Sequence, residues 1–255
     1  MDKKYYFLSG LPRSGTTLLR AILDQNPNVY SEGYSGLCQV MNANYNILNN
    51  NAYFTLRMTN KNYVSDDILS EIPKIFYRNT EKNIILDNHK LWTTHQSDHI
   101  IKRYMTSEPK IVVTLRPMEQ ILKSYVKILQ MNGRYEESEV KNLLIEDTDP
   151  IMVAYKGLIE AMHNDTGQYL FLSYDSLVDD TENTIKRIYE FFEWDYFQHD
   201  LNNIIQENMV DDNFVGLVGL HDIRSSISRR VVDVEIDQDI LNYCKVLTNR
   251  YKDLL

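Results

Sequence analysis

Residues 5–24, YYFLSGLPRSGTTLLRAILD, run from an apolar segment through a glycine-bounded loop into an amphipathic helical pattern. They read as strand, phosphate loop and helix. Gly10 and Gly15 bracket the turn, Ser14, Thr16 and Thr17 bring hydroxyls, and Arg13 brings a fixed positive charge. Successive backbone N–H groups followed by a helix N-terminus make a concave site for phosphate oxygens. The spacing is the G-x-x-x-x-G of a Walker loop, but Thr16 stands where that loop holds lysine. A triphosphate enzyme needs that lysine on the β- and γ-phosphates, so its absence weakens an ATPase or kinase reading and leaves Arg13 as the cation of the turn.

The rest of the chain extends this pattern. A chain of 255 residues, 43% hydrophobic, can bury a substantial core and suggests one domain over residues 1–255. A formal net charge of −9 argues against nucleic acid as a partner, which calls for a basic face. Any anionic ligand must then be held by local basic groups and backbone amides. Cys38 and Cys244 stand far apart, without disulfide or zinc-ligand spacing. The segment MDKKYYFLSG enters the first strand after a few residues, leaving no room for a signal peptide. No apolar run approaches the ~18 residues of a membrane span, so no membrane partner and a cytoplasmic location are expected.

Downstream, Asn26-Pro27-Asn28 marks a turn, and a short extended segment leads to Glu32. Residues 36–83 are asparagine-rich and then carry Ile68, Leu69, Ile72, Ile75 and Phe76 at helical spacing, the pattern of a mostly helical insertion. Ile84–Leu86 form a buried strand from whose C-terminal end come Asp87, Asn88, His89 and Lys90, the edge at which open α/β sheets place ligands. His89 reads as a hydrogen-bonded structural histidine and Trp92 as packing. A second apolar strand, Lys110–Leu115, ends at Arg116; Pro117 suits the first helical position, and Ser124 follows about two helical turns on. Residues 132–149 are an acidic connection, Pro150 opens another helix, and a strand leads into Tyr174 and Asp175. The stretch NFVGLVGLHDIRSSISRR gathers glycines, serines and arginines with little apolar periodicity, as a loop folded over a ligand does. An amphipathic C-terminal helix through Ile236, Ile240, Leu247 and Tyr251 calls only for a structural role. The expected fold is α/β: a P-loop-type parallel sheet flanked by helices on both faces, with a mostly helical insertion.

LPRSGTT followed by LLRAILDQNPNV resembles the 5′-phosphosulfate loop of PAPS-dependent sulfotransferases, especially the branch with protein-tyrosine sulfotransferases and bacterial and phage relatives. Arg116 and Ser124, spaced R-x7-S, resemble the 3′-phosphate site of those enzymes, a guanidinium pairing with phosphate and a hydroxyl adding one donor. The resemblance implies PAPS as donor and PAP as product, with no metal. It places Arg13, Ser14, Gly15, Thr16 and Thr17 on the phosphosulfate, Arg116 and Ser124 on the 3′-phosphate and Tyr174 beside the nucleotide. Arg224, Ser226 and Arg229 would sit in a closing loop. Arg13 and Lys90 would stabilise charge on the leaving phosphate, though the match of Lys90 to the family's basic residue is displaced. Glu32 would be the general base after a one- or two-residue shift, or else a solvated loop carboxylate. Residues 36–83 would shape the acceptor site. The implied reaction is in-line sulfuryl transfer to a hydroxyl or amine of a small-molecule, peptide or carbohydrate acceptor. A nucleotide kinase-like phosphotransferase, with Asp87 holding magnesium, and a non-catalytic PAP- or PAPS-binding protein are the alternatives.

Overall fold

A computed structural model describes residues 3–207, 210–229 and 232–255. Its sheet is five-stranded and parallel, in the order β2-β3-β1-β4-β5. The strands are β1 (Lys4–Gly10), β2 (Val29–Ser31), β3 (Ile84–Asn88), β4 (Ile111–Leu115) and β5 (Tyr169–Ser173). Strand side chains alternate between the two faces and build two apolar cores. Phe7, Ile85, Ile111, Val113 and Leu115 point into one; Leu8, Leu86, Val112 and Leu172 point into the other.

The helices are α1 (Thr16–Leu23), α2 (Leu37–Asn46), α3 (Tyr53–Met58), α4 (Tyr63–Phe76), α5 (His95–Tyr104), α6 (Met118–Met131), α7 (Glu137–Val140), α8 (Pro150–Asn164), α9 (Tyr174–Asp179), α10 (Thr181–Phe192) and α11 (Gln238–Thr248). Helices α2, α5, α6, α8 and α11 cover the larger core; α1, α9 and α10 cover the smaller. This is the expected arrangement, a parallel sheet with helices on both faces. Local chemistry sets several boundaries. Thr94 Oγ1 accepts from the Ser97 N–H at the start of α5, and Asp149 Oδ1 accepts from the Ile151 N–H at 2.8 Å, with Pro150 opening α8.

Residues 36–83 are mostly helical: α2, a π-helical turn at Ile47–Asn51, α3 and α4. Leu37, Cys38, Met41, Leu69 and Tyr77 are buried, whereas Ile68 and Ile75 are exposed. The apolar face of α4 is therefore narrower than its periodicity suggested. Pro117 precedes α6 as its cap instead of forming its first turn. No helix among the described residues is long and apolar enough to cross a membrane.

From β1 the chain proceeds through α1 toward β2, while β4 is followed by β5 on the opposite side. The strand order therefore reverses between β1 and β4. A crevice opens at the C-terminal ends of strands at such a switch point, and ligands of open α/β sheets bind there.

Candidate active site

The loop between β1 and α1 is built by close approach and by unusual backbone angles. Gly10 pairs with Thr114 in the sheet, and a Cβ there would lie 2.3 Å from Thr114 Oγ1 and 2.5 Å from the Thr114 carbonyl oxygen. Gly15, at φ 92°, caps α1 with its Cα facing the Tyr174 ring and Leu177. Arg13 adopts φ 62°, a left-handed conformation uncommon for a side-chain-bearing residue and a form of strain that clusters at functional sites. The Ser14 hydroxyl turns inward, donating to the Leu11 carbonyl oxygen at 2.5 Å and pairing with Thr114 Oγ1 at 2.6 Å. Ser14 is fully buried and shapes the loop; it is not among the residues lining the cavity.

A cavity of about 430 Å³ opens over this loop. Of the expected site residues, Arg13, Gly15, Thr16, Thr17, Lys90, Arg116, Ser124, Tyr174, Arg224 and Ser226 line it. Arg13 Nε donates to Ser124 Oγ at 3.1 Å, and Arg116 Nη1 donates to the Arg13 carbonyl oxygen at 3.0 Å, so the loop and the β4–α6 turn are directly tied. The Arg116 guanidinium carbon lies 4.1 Å from the centre of the Tyr174 ring, and its Nε donates to Gln120 Oε1 at 3.0 Å. Lys90 is held through its carbonyl oxygen, which accepts from Ser9 Oγ at 3.0 Å, and its ammonium lies 5.8 Å from the Tyr34 ring centre. Burial lowers the Lys90 pKa, and the Asp149 carboxylate acts against that shift.

Other expected residues lie elsewhere. Glu32 Oε1 accepts from the Tyr30 hydroxyl at 2.9 Å and is not among the lining residues, although Gly33 and Tyr34 are. Arg229 forms ion pairs with Asp175 at 3.0 Å and with Asp179 on the outer side of α9, also away from the lining. Arg230, the last arginine of that stretch, lies outside the described residues. No residue of 36–83 lines the cavity; its opposite wall comes from Tyr125, Pro150 and residues 210–228.

His89 and Asp87 have structural partners. His89 Nδ1 accepts from the Leu91 N–H at 3.1 Å, and burial, followed by the neighbouring Lys90 charge, lowers its pKa to about 3. Asp87 is fully buried and accepts from Tyr77, Ser35 and Trp92 at 2.5, 2.7 and 2.6 Å. Desolvation raises its pKa to about 6 against the pull of those donors. A carboxylate consumed in this way does not face the cavity, which removes the residue a magnesium-dependent phosphotransferase would use. Among the described residues no group of three or more His, Cys, Asp or Glu side chains converges as a metal site.

Sequence reasoning passed over His221, Tyr125 and Tyr34, all of which line the cavity. The segment GLHDIR pointed to a closing loop, but its arginine drew attention ahead of its histidine.

A glycine-bounded loop at the switch point of a parallel sheet, ringed by basic side chains, is the kind of arrangement in which α/β proteins hold phosphorylated ligands. Residues 6–198 match the Sulfotransferase family, and the chain belongs to that family. A Caenorhabditis briggsae protein named as a protein-tyrosine sulfotransferase is 24% identical over 202 residues, covering 77% of this chain and 68% of that one. Among solved structures, the sulfotransferase from Alicyclobacillus acidocaldarius superposes with a TM-score of 0.59 at 10% identity, covering 100% of this chain and 96% of its own. The sulfotransferase domain from the curacin biosynthetic pathway gives 0.58 at 13% identity, covering 97% and 98%. Retinol dehydratase, solved with retinol and PAP, gives 0.51 at 15% identity, covering 100% and 82%. These likenesses establish the sulfotransferase fold.

Proposed function

We propose that this sulfotransferase takes its sulfuryl group from PAPS and passes it to an acceptor hydroxyl or amine, releasing PAP. One observation carries the reading. In a chain with 36 acidic and 27 basic residues, the charged side chains lining the cavity among the described residues are Arg13, Lys90, Arg116 and Arg224 against the single carboxylate of Asp222. Local reversal of charge around a phosphate loop fits a polyanionic donor with two phosphate-bearing ends. The PAP found with retinol dehydratase supports the same choice.

PAPS supplies the sulfuryl group and a phosphate leaving group. The amides of residues 13–17 and the hydroxyls of Thr16 and Thr17 would hold the phosphosulfate end, and Arg116 and Ser124 the 3′-phosphate, with Tyr174 against the nucleotide. Arg13 and Lys90 would oppose negative charge that grows on the departing phosphate oxygen. Lowering of the Lys90 pKa by burial leaves its ammonium in a setting where an anionic ligand gains more from it than in water. The walls contributed by Tyr34, Tyr125, Val215 and Leu217 favour an acceptor with an apolar or aromatic body.

Calorimetry with PAP tests this. Arg13→Ala and Arg116→Ala should each weaken binding roughly 10- to 100-fold, the loss of one or two charge-assisted hydrogen bonds. Unchanged affinity in both variants would sink the donor assignment, and tighter binding of magnesium–ATP than of PAP would favour phosphoryl transfer instead.

A further inference from the structure

We propose that His221, oriented by Asp212, is the general base that takes the proton from the acceptor. The inference rests on the sulfotransferase reading above and concerns a residue pair outside the phosphate-binding loop.

Asp212 clasps His221 at two points. Its Oδ1 accepts from His221 Nδ1 at 2.5 Å, and its Oδ2 accepts from the His221 backbone N–H at 2.9 Å. The pair is nearly closed off on the Asp212 side, where that residue is buried, and open on the His221 side, where the ring lines the cavity. The connecting segment is itself fastened. Val218 exchanges two hydrogen bonds of 3.0 Å with the Asn132 side chain just beyond α6, and the Leu220 carbonyl oxygen accepts from Arg13 Nη1. The histidine therefore sits on a wall held against the phosphate loop, adjacent in sequence to a residue that touches Arg13.

This arrangement selects a tautomer. With Nδ1–H given to the carboxylate, the lone pair is on Nε2, the nitrogen left to face a ligand, and the carboxylate stabilises the imidazolium that forms when Nε2 takes a proton. Among the described residues, the other titratable or charged groups sharing the cavity are Arg13, Lys90, Arg116, Arg224, Tyr125, Tyr174 and Asp222, besides Tyr34, whose pKa burial raises to about 12. Cations and phenols do not accept a proton readily, and Glu32 is bonded to Tyr30 outside the lining. Asp222 is then the other acceptor in the lining among the described residues, and the response of phenol turnover to His221→Gln tells the two apart. In the transfer, His221 Nε2 removes the acceptor O–H proton as that oxygen bonds to sulfur. The bond between sulfur and the 5′-phosphate oxygen breaks with its electron pair retained by PAP, and the imidazolium then releases the proton to water.

Two phenols of different acidity test the role. With PAPS as donor, His221→Gln should lower kcat/KM for phenol by about 10²- to 10⁴-fold. The loss should shrink to within about tenfold for 4-nitrophenol, which ionises without help. Asp212→Asn, which spoils the tautomer and leaves the ring in place, should repeat the difference and displace the pH profile for phenol. PAP affinity should stay within about twofold in both variants. Equal losses with the two phenols, no loss with either, or a tenfold loss of PAP affinity in His221→Gln would overturn the proposal. Nitrogen-15 NMR of histidine-labelled protein, with His221→Gln for assignment, reads the tautomer whether or not either phenol is sulfated. Nδ1–H with a bare Nε2 is expected, and Nε2–H overturns it. Failure of the wild type to bind PAP would overturn the donor reading instead, so the two failures are told apart.

Discussion

A methyl group at Gly10 would be forced against both the side chain and the carbonyl of Thr114, at distances no carbon tolerates. The strain is met by backbone, since Thr114 lies inside β4 and is buried. Gly10→Ala should destabilise the protein by about 1–3 kcal/mol, the cost of overpacking, and displace the first turn of the loop as well. Urea unfolding should show a lower midpoint with an unchanged slope, and PAP binding should weaken alongside. At this scale much of the site was legible. Gly10, Gly15 and Thr16 carry their meaning in local spacing, and Arg116 with Ser124 lies on one strand end and the helix that follows it. What local spacing could not reveal is where a hydroxyl points: Ser14 Oγ is taken by Leu11 and Thr114 because the fold brings β4 against the loop.

Among the elements, α11 does more than fill the core. Tyr251, just beyond its end, donates its hydroxyl to the Arg116 carbonyl oxygen at 2.8 Å, and Thr248 Oγ1 accepts from the Met118 N–H at 2.9 Å. The second bond satisfies the Met118 N–H, which a helix start leaves without an intrahelical partner, and the first ties the strand end at Arg116 to the C-terminal segment. The C-terminal segment thus anchors the residue expected to hold the 3′-phosphate. Tyr251→Phe removes this hydrogen bond to the Arg116 carbonyl, so a loss of about 0.5–1.5 kcal/mol of stability is expected, together with a several-fold weaker hold on PAP. Thermal melting and calorimetry on the same variant check both; a melt that falls with PAP affinity intact would reduce α11 to packing. Amphipathic periodicity identified the helix but not this contact, which joins residues 135 positions apart in sequence.

For the molecule as a whole, two neutral histidines shape the response to acid. Burial lowers the His89 pKa to about 3 and the His199 pKa to about 4. Unfolding releases both to ordinary values near 6.5, so below that pH the unfolded chain binds protons that the folded one refuses. Stability is therefore complete above about pH 6.5 and falls as pH drops, by roughly 1.4 kcal/mol per pH unit for each histidine. Asp87 works in the opposite sense: raised to about 6, it takes up a proton in the folded state between about pH 6 and 4 that the unfolded carboxylate does not. The melting temperature should decline from pH 7 to 5, and His89→Asn, which keeps an acceptor for the Leu91 N–H, should make the decline shallower. A slope identical to wild type would mean that His89 is not buried neutral in solution.

The sequence by itself determined the parallel α/β plan, the glycine-bounded loop, the strand-end arginine and its serine, because each depends on periodicity or on spacing within one strand–helix unit. Only the tertiary structure decided which polar groups reach the cavity. Arg229 spends its charge on Asp175 and Asp179, Glu32 is bonded to Tyr30, residues 36–83 stand apart from the lining, and His221, bonded to Asp212, lies among the residues that line the cavity. The physical reason is that burial and charge pairing depend on distances between segments remote in sequence. A side chain's chemistry then follows from whichever partner the packed chain brings within hydrogen-bonding reach.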